Sequence, residues 1–479
     1  MLFLFCLLPA FGAFLLFFVS KNNVFFIKNF SLVWTLLVFN ISIVICLSFD
    51  SFCLDFQFLE ELSWLTFSTN SVVLAVDGLS IVMIVLTTFL FPVCILLGWT
   101  IAKQSQIWTY NIMFLILESI LLLVFCSLDL LMFYLLFEAI LIPMYFVIGV
   151  FGSRERKIRA SYLLFLYTLV SSIVMFVCIL FLFVKTGSTN FFIIRLFQFD
   201  PLVEKLCWLA FFSSFAVKMP IIPFHIWLPE AHCEAPTAGS VLLAGILLKL
   251  GGYGFLRFSL SFFPSACSFF SPMIYALSAF GVIYASLTTL QQIDLKKIIA
   301  YTSVGHMGLV TAGIFSQNAQ GIFGSILLML AHGITSPALF ISIGFLYERY
   351  GTRIIKYYGG LIHTMPIFSV LFIIFSLANL GLPATSNFIG EFLVLVGCFS
   401  ANSWATLLIG TGLVLSAGYS LWLCNRLLFG NFKSYSIVLF RDLNRREFSV
   451  FFPFVFLTFF VGLYPEFIAV LTKSFVFVC

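Results

Sequence analysis

Long, uninterrupted runs of apolar residues dominate the chain and are separated by short polar stretches. The run from 162 to 184, for example, is apolar almost throughout. A transmembrane helix needs about 20 apolar residues to cross a hydrocarbon core about 30 Å thick, whereas strands of a membrane barrel alternate apolar and polar positions over about 10 residues. The runs therefore predict an all-α bundle of about fourteen transmembrane helices, at roughly 2–19, 30–49, 72–98, 107–128, 130–151, 160–184, 206–228, 238–260, 270–290, 298–315, 320–346, 365–398, 403–429 and 449–471.

The composition excludes several classes of protein. Of the 479 residues, 62% are hydrophobic and 9% are charged. A soluble domain has about 25% charged residues, so this chain lacks the polar side chains needed to cover a surface that faces water. Its 24 basic residues are also too few to build a groove for nucleic acid. The chain is therefore expected to be a polytopic membrane protein with no nucleic-acid partner.

The basic residues predict how the bundle lies in the membrane, because loops that stay on the side of synthesis are enriched in lysine and arginine. Seventeen of the 24, among them Lys103 and Lys433, lie at or beyond the ends of odd-numbered predicted helices, and five lie at or beyond the ends of even-numbered ones. This asymmetry predicts that both termini are on the outer side. The other two, Lys218 and Lys249, fall inside predicted helices.

Two predicted helices contain residues that break a helix. Predicted helix 7 contains Pro220 and Pro223, and predicted helix 12 contains Gly381 and Pro383. Proline removes a backbone hydrogen bond, and unwound backbone at membrane depth is tolerated where it is buried in protein or lines a wet cavity. The sequence therefore predicts that both helices are interrupted. The alternative is that the prolines only kink two ordinary helices.

The spacing of these breaks also indicates an internal repeat. Pro220 and Pro383 lie 163 residues apart, and other corresponding helices start at similar offsets. A second copy of a five-helix unit would be inverted relative to the first, as in many transporters. The expected organisation is helices 1–3 at 1–105, a first repeat of helices 4–8 at 106–262, a second, inverted repeat of helices 9–13 at 268–430, and helix 14 at 431–479.

Ionisable side chains inside the predicted helices are the candidate functional residues. Such groups are costly to bury in a membrane and mark functional sites by default. Together they form a series suited to proton transfer, because histidine titrates near neutral pH and can relay a proton through its two nitrogens. The predicted proton relay contains Glu138, Lys218, Lys249, His306, His332 and Glu391.

Within this set, Glu138 and Lys218 are the favoured hypothesis for a controlling ion pair. The histidines could instead be structural residues of the core. Glu118 and Asp77 could equally be packing or helix-capping groups, and they are, with His225, candidates for an accessory role only.

A haem-based electron carrier is a second class of function. Haem iron in a membrane bundle needs axial ligands such as histidine that face one pocket. The chain has five histidines, and none is expected to form a pair on two facing helices. It contains no glycine-rich nucleotide loop and no C-x-x-C pair among its twelve cysteines. No cofactor, metal or disulfide framework is therefore expected in this chain.

Four stretches resemble a known family. They are PFHIWLPEAHCEAPTAGSVLLAGILLKLGGYGFLRF from Pro223, DLKKIIAYTSVGHMGLV from Asp294, GSILLMLAHGITSPALF from Gly324 and NFIGEFLVLVG from Asn387. These motifs closely resemble the antiporter-like membrane-arm subunits of respiratory complex I, NADH-ubiquinone oxidoreductase. The resemblance extends from about residue 70 to about residue 470.

The resemblance implies a proton-translocating subunit that couples NADH-to-ubiquinone electron transfer to proton pumping. It implies an ion pair between Glu138 and Lys218, a central relay at Lys249, an exit toward Glu391, and a linking path near His306 and His332. FMN, iron–sulfur clusters and ubiquinone would then lie in other subunits.

The same resemblance implies, as partners, the other membrane-arm subunits, including neighbouring antiporter-like subunits, and lipids. The expected location is the mitochondrial inner membrane, or alternatively a bacterial inner membrane. Two other functions stay open: a subunit of a multisubunit cation/proton antiporter, and a spacer that holds the membrane arm together without conducting.

Overall fold

A computed structural model of the protein describes residues 1–63, 71–100, 104–431 and 441–478. The N-terminal part contains two helices, a pair of antiparallel strands and two further helices, the first of which is followed by a short 3-10 turn. Their bounds are α1 (Leu2–Phe17), α2 (Val24–Ser48), β1 (Gln57–Ser63), β2 (Ser71–Val76), α3 (Gly78–Leu97), the 3-10 turn Gly98–Thr100 and α4 (Gln104–Cys126).

The middle of the chain is helical and ends in a long helix with two π segments, which we call the central helix (Thr237–Phe262). The separate helices are α5 (Leu130–Ala139), α6 (Leu141–Phe151), α7 (Lys157–Thr186), α8 (Phe191–Leu196), α9 (Pro201–Lys218) and α10 (Trp227–Glu234). The central helix is made of α11 (Thr237–Leu242), the π segment Leu243–Leu247, α12 (Leu248–Gly254), the π segment Phe255–Ser259 and α13 (Leu260–Phe262).

The remaining part is also helical. It contains α14 (Pro264–Gln291), α15 (Leu295–Phe315), α16 (Ala319–Tyr350), the 3-10 turn Ile355–Tyr357, α17 (Leu361–Thr364), α18 (Pro366–Leu380), α19 (Ser386–Ala401), α20 (Ser403–Leu428), α21 (Arg445–Leu463) and α22 (Glu466–Val478).

Acidic side chains set the start of several helices. Asp77 accepts a hydrogen bond from the backbone N–H of Ser80 at the start of α3, and Asp129 does the same for Met132 in α5. A side-chain oxygen at this position satisfies one of the four backbone N–H groups that the first helical turn leaves without partners. Polar residues between the apolar runs therefore decide where these helices begin.

Both predicted interruptions are present. Predicted helix 7 consists of two helices: α9 ends at Lys218, and α10 begins only at Trp227. Predicted helix 12 also consists of two helices. The first, α18, ends at Leu380 and is followed by Gly381 with a φ of 80°, and α19 begins at Ser386. In the first gap, Pro220 and Pro223 cannot supply backbone N–H groups to a helix, and in the second, the left-handed Gly381 ends the helix two residues before Pro383.

The prediction of a helix from residue 72 is wrong for its first turn. Ser71–Val76 is the strand β2, which pairs antiparallel with β1, and α3 starts after it. Val72 and Val73 pair across the sheet with Leu62 and Glu61, and the sequence pattern of one segment does not reveal its pairing partner. Glu60 of β1 accepts hydrogen bonds from the start of α1, so the two strands and the N-terminus lie at the same end of the bundle.

The helical membrane class is confirmed. In the described residues, eleven helical stretches are long and apolar enough to cross a membrane, and α1, α18 and α19 are shorter apolar helices. The number of fourteen crossings, the inverted relation of the two repeats and the four domain ranges remain predictions. Lys103 and Lys433 lie outside the described residues.

The centre of the bundle consists of the central helix and α16. The most apolar stretch of the central helix is 100% buried and that of α16 is 94% buried, against 33% for α7 at the periphery. Ionisable residues on these two helices are therefore shielded from lipid.

Candidate functional site

Lys249 lies on α12, between the two π segments of the central helix, and its side chain is fully buried. Its Nζ donates a hydrogen bond to the carbonyl of Ala244 in the first π segment. The same Nζ is 2.8 Å from Nδ1 of His332 on α16. Single-turn π segments are frequent at functional sites.

The contact between Lys249 and His332 can exchange a proton. An ammonium group only donates hydrogen bonds, so a charged Lys249 requires Nδ1 of His332 to accept. A neutral amine can instead accept the proton that Nδ1 carries. The two arrangements differ by the position of one proton, and neither requires the side chains to separate.

His306 on α15 links His332 to the carboxylate of Glu391 on α19. The two imidazole centroids are 5.5 Å apart, a separation that one water molecule can bridge. Nδ1 of His306 is 3.3 Å from Oε1 of Glu391. The angles there do not make a hydrogen bond, and neither atom has another hydrogen-bond partner among the described residues. We call Lys249, His332, His306 and Glu391 the relay row.

Lys218 and Glu138 lie apart from the relay row and do not form a close ion pair. Nζ of Lys218 donates a 2.6 Å hydrogen bond to the carbonyl of Phe137 and lies 3.1 Å from the centroid of its ring. Glu138 follows Phe137 directly, and its Oε1 is buried without a hydrogen-bond partner among the described residues. Lys218 therefore contacts the residue that directly precedes Glu138 in the chain.

The three accessory candidates occupy three different environments. Asp77 forms a salt bridge with Arg257 of the central helix. Glu118 is completely buried on α4, and in the described structure neither carboxylate oxygen has a hydrogen-bond partner. His225 lies in the gap after α9, with its ring 5.6 Å from the ring of Tyr284. None of the three belongs to the relay row.

The structure adds to the sequence analysis in two points. Lys218 and Lys249 are not the only buried basic side chains on helices, because Arg257 and Lys296 are each 1% exposed. Arg257 lies inside the central helix, which ends at Phe262, whereas the sequence predicts it at the end of helix 8. His306 and His332 also form a facing pair on neighbouring helices, although no such pair was expected.

His232 is a further buried histidine that the sequence pattern does not single out. It lies on α10 after the first interruption, is completely buried, and stacks on Phe340 with ring centroids 4.4 Å apart. Neither ring nitrogen has a hydrogen-bond partner among the described residues. The sequence signal that could have identified it is its position in the interrupted helix, only a few residues after the break.

A cavity of about 710 Å³ opens at the end of the bundle opposite β1 and β2. Its lining includes Thr237, the first residue of the central helix, so water can reach this end of the helix. We call it the basic cavity because five basic and two acidic side chains line it: Lys157, Lys296, Arg349, Arg353, Arg446, Glu348 and Glu447.

No group of three or more His, Cys, Asp or Glu side chains that could hold a metal ion is found in the part of the chain that the structure describes. The chemistry that the buried groups offer is proton exchange between amine, imidazole and carboxylate. The residues of the relay row lie on neighbouring helices, so the row runs across the bundle from the central helix to α19.

Comparison with known proteins gives a consistent result. The family model described as NADH:quinone oxidoreductase/Mrp antiporter, transmembrane, matches residues 127–416. The chain is 54% identical over 460 residues to NADH-ubiquinone oxidoreductase chain 4 of Marchantia polymorpha, covering 96% of this chain and 93% of that protein. The protein of the same name from Arabidopsis thaliana is 53% identical over the same length and with the same coverage.

Solved structures show the same fold. A chain of respiratory complex I from Thermus thermophilus matches with a TM-score of 0.89 and 27% identity, covering 99% of this chain and 97% of that one. A chain of the Mrp complex from Dietzia sp. matches with a TM-score of 0.86 and 17% identity at the same coverage. The family model spans more than half of the sequence and the identity to the plant proteins exceeds one half. The chain therefore belongs to the NADH:quinone oxidoreductase/Mrp antiporter family of membrane proteins.

Proposed function

We propose that this chain is a proton-translocating membrane subunit of respiratory complex I, and that it couples electron transfer from NADH to ubiquinone to proton pumping. The relatives at 50–54% identity that span 96% of the chain are named as chain 4 of NADH-ubiquinone oxidoreductase. The observation that carries the proposal is the relay row. In this row an amine, two imidazoles and a carboxylate, all buried, follow one another from the central helix to α19.

In this mechanism Lys249 is the central proton carrier. A proton passes from its Nζ to Nδ1 of His332, then to His306, and leaves through Glu391. Each transfer joins groups that are in contact or separated by the width of one water molecule. Glu138 and Lys218 control the carrier, because a charged Lys218 that moves toward Glu138 or away from it changes the electrostatic field inside the bundle.

The proposed partners are other subunits of the membrane arm, including neighbouring antiporter-like subunits, together with lipids. FMN, iron–sulfur clusters and ubiquinone belong to other subunits. The proposed location is the mitochondrial inner membrane, since the relatives from Marchantia, Arabidopsis and Chondrus are eukaryotic proteins of the same name.

The related alternative is a subunit of a cation/proton antiporter, because the family and the fold include Mrp complexes. Isolation of the native complex distinguishes the two. Copurification with flavin and iron–sulfur subunits, with NADH-dependent reduction of ubiquinone and proton uptake into vesicles, supports complex I. Sodium-dependent proton exchange that does not require NADH would overturn the proposal in favour of an antiporter.

The Glu138→Gln variant tests the role of the predicted ion pair. Glutamine has nearly the same volume but cannot carry the negative charge that attracts Lys218. We expect NADH-driven proton uptake by the reconstituted complex to fall about tenfold, because the substitution removes the negative charge that stabilises the protonated form of the buried Lys218. Uptake is measured with a pH-sensitive dye inside the vesicles.

The matched control is Glu155→Gln, which makes the same change on an exposed loop residue. This variant should pump like wild type. If the Glu138→Gln complex also pumped at the wild-type rate, Glu138 would have no part in controlling Lys218.

A further inference from the structure

Arg257 and Asp77 form a buried ion pair that the relay row does not use. Nη1 of Arg257 donates to Oδ2 of Asp77 at 2.7 Å, and Nη2 donates to Oδ1 at 2.5 Å. Nη2 also donates to Oγ of Ser80 at 3.0 Å, and Nε donates to the hydroxyl of Tyr253 at 3.3 Å. The Tyr253 hydroxyl in turn donates to the carbonyl of Phe125 at 3.1 Å.

Aromatic rings close this network off from its surroundings. The rings of Phe56, Tyr253 and Phe475 lie 5.1, 5.4 and 5.5 Å from Cζ of Arg257. The Arg257 side chain is 2% exposed and that of Asp77 is 12% exposed. The guanidinium group is therefore held in a buried site with its charge neutralised by one carboxylate.

The pair lies on the outward side of Lys249. Both basic residues are on the central helix, eight residues apart, which corresponds to about 12 Å along a helix. The opposite end of the same helix, at Thr237, lines the basic cavity. Arg257 thus lies toward the end with β1 and β2, which the distribution of lysine and arginine predicts to be the outer end.

We propose that the Arg257–Asp77 pair, with Ser80 and Tyr253, is an outer seal that blocks direct passage of protons from Lys249 along the central helix. This inference rests on the proposed proton-pumping function. A guanidinium has no acceptor and does not lose its proton in proteins. Both Asp77 oxygens accept hydrogen bonds from Arg257, and Oδ1 also accepts one from the backbone N–H of Ser80, so the carboxylate is held against the guanidinium group.

The seal explains why a proton would move sideways. Outward along the central helix, the next basic side chain after Lys249 is Arg257, which does not lose its proton. Toward α16 it contacts His332, whose Nδ1 can do both. A proton on Lys249 therefore passes to His332, which can accept it, and not toward Arg257, which cannot.

Two variants at these positions separate a proton seal from a purely structural ion pair. Arg257→His replaces a group that cannot titrate by one that can, next to a carboxylate, and should raise passive proton leak severalfold. The double variant Asp77→Asn with Arg257→Gln removes both charges but leaves two hydrogen-bonding amides that do not titrate. Asparagine also retains the capping role at the start of α3. This double variant should be as proton-tight as wild type.

The measurement uses the intact complex reconstituted into vesicles, without NADH, and follows the decay of an imposed pH gradient with a trapped dye. Native gels confirm assembly of each variant. Arg426→His is the matched control, because it makes the same change at an exposed position on α20 and should not leak. NADH-driven pumping by the wild-type complex is measured separately, and its absence would overturn the proposed function itself.

The proposal is supported only if Arg257→His leaks while the double variant stays tight. If Arg257→His stays tight, the pair does not lie on a proton route. If both variants leak to the same extent, the pair acts through packing alone and the seal is overturned.

Discussion

A complex that carries Lys249→Met should assemble but lose NADH-driven proton uptake. Methionine fills almost the same space and is apolar, so the fully buried site is not left with an unpaired charge. It cannot carry a proton to Nδ1 of His332. We expect pumping to fall by about 100-fold or more, because a positioned proton-transfer group contributes at least that much to rate. Ubiquinone reduction should fall with it if the two processes are tightly coupled.

The matched control is Lys185→Met, which makes the same substitution at an exposed residue in the last turn of α7. Both variants are reconstituted at equal amounts of assembled complex, and dye-reported uptake is followed after addition of NADH. If this chain were only a spacer, the complex with methionine at position 249 would pump at the wild-type rate. Unchanged uptake by assembled Lys249→Met complex would therefore rule out conduction through this chain.

The Gly390→Val variant should weaken the packing of α19 against α16 and lower the thermal stability of the complex. A Cβ atom at Gly390 would lie 2.8 Å from the backbone N and 2.9 Å from Cα of Leu328. Small residues let membrane helices approach this closely, and here the obstructing atoms belong to the backbone. Overpacking costs about 1–3 kcal/mol even where side chains can move, so we expect at least that loss.

This substitution also displaces the neighbouring Glu391, so pumping should fall in whatever complex still assembles. Thermal unfolding of the purified complex and native-gel yield measure the effect. The matched control is Gly418→Val on α20, where an added Cβ meets no atom within 4 Å. Equal melting temperatures for the two variants would show that the close contact of α16 and α19 contributes nothing to stability.

Several features of this protein follow from local sequence. Runs of about 20 apolar residues are the only way for a helix to cross lipid, so the scarcity of charge was enough to recognise a membrane bundle. Proline and glycine act on their own backbone and that of the preceding turn, so the interruptions after Lys218 and Leu380 could also be predicted. The strand Ser71–Val76 could not, because its hydrogen bonds go to a different segment.

The sequence by itself determined the class of protein, the two broken helices and the identity of the buried ionisable residues. Only the tertiary structure decided which of them meet. Lys249 and His332 are 83 residues apart, and Asp77 and Arg257 are 180 apart. Contact between such residues depends on how each helix is rotated and shifted against its neighbours. Apolar runs that are hydrophobic on every face carry little information about that rotation, so the relay row and the outer seal become visible only when the helices are packed.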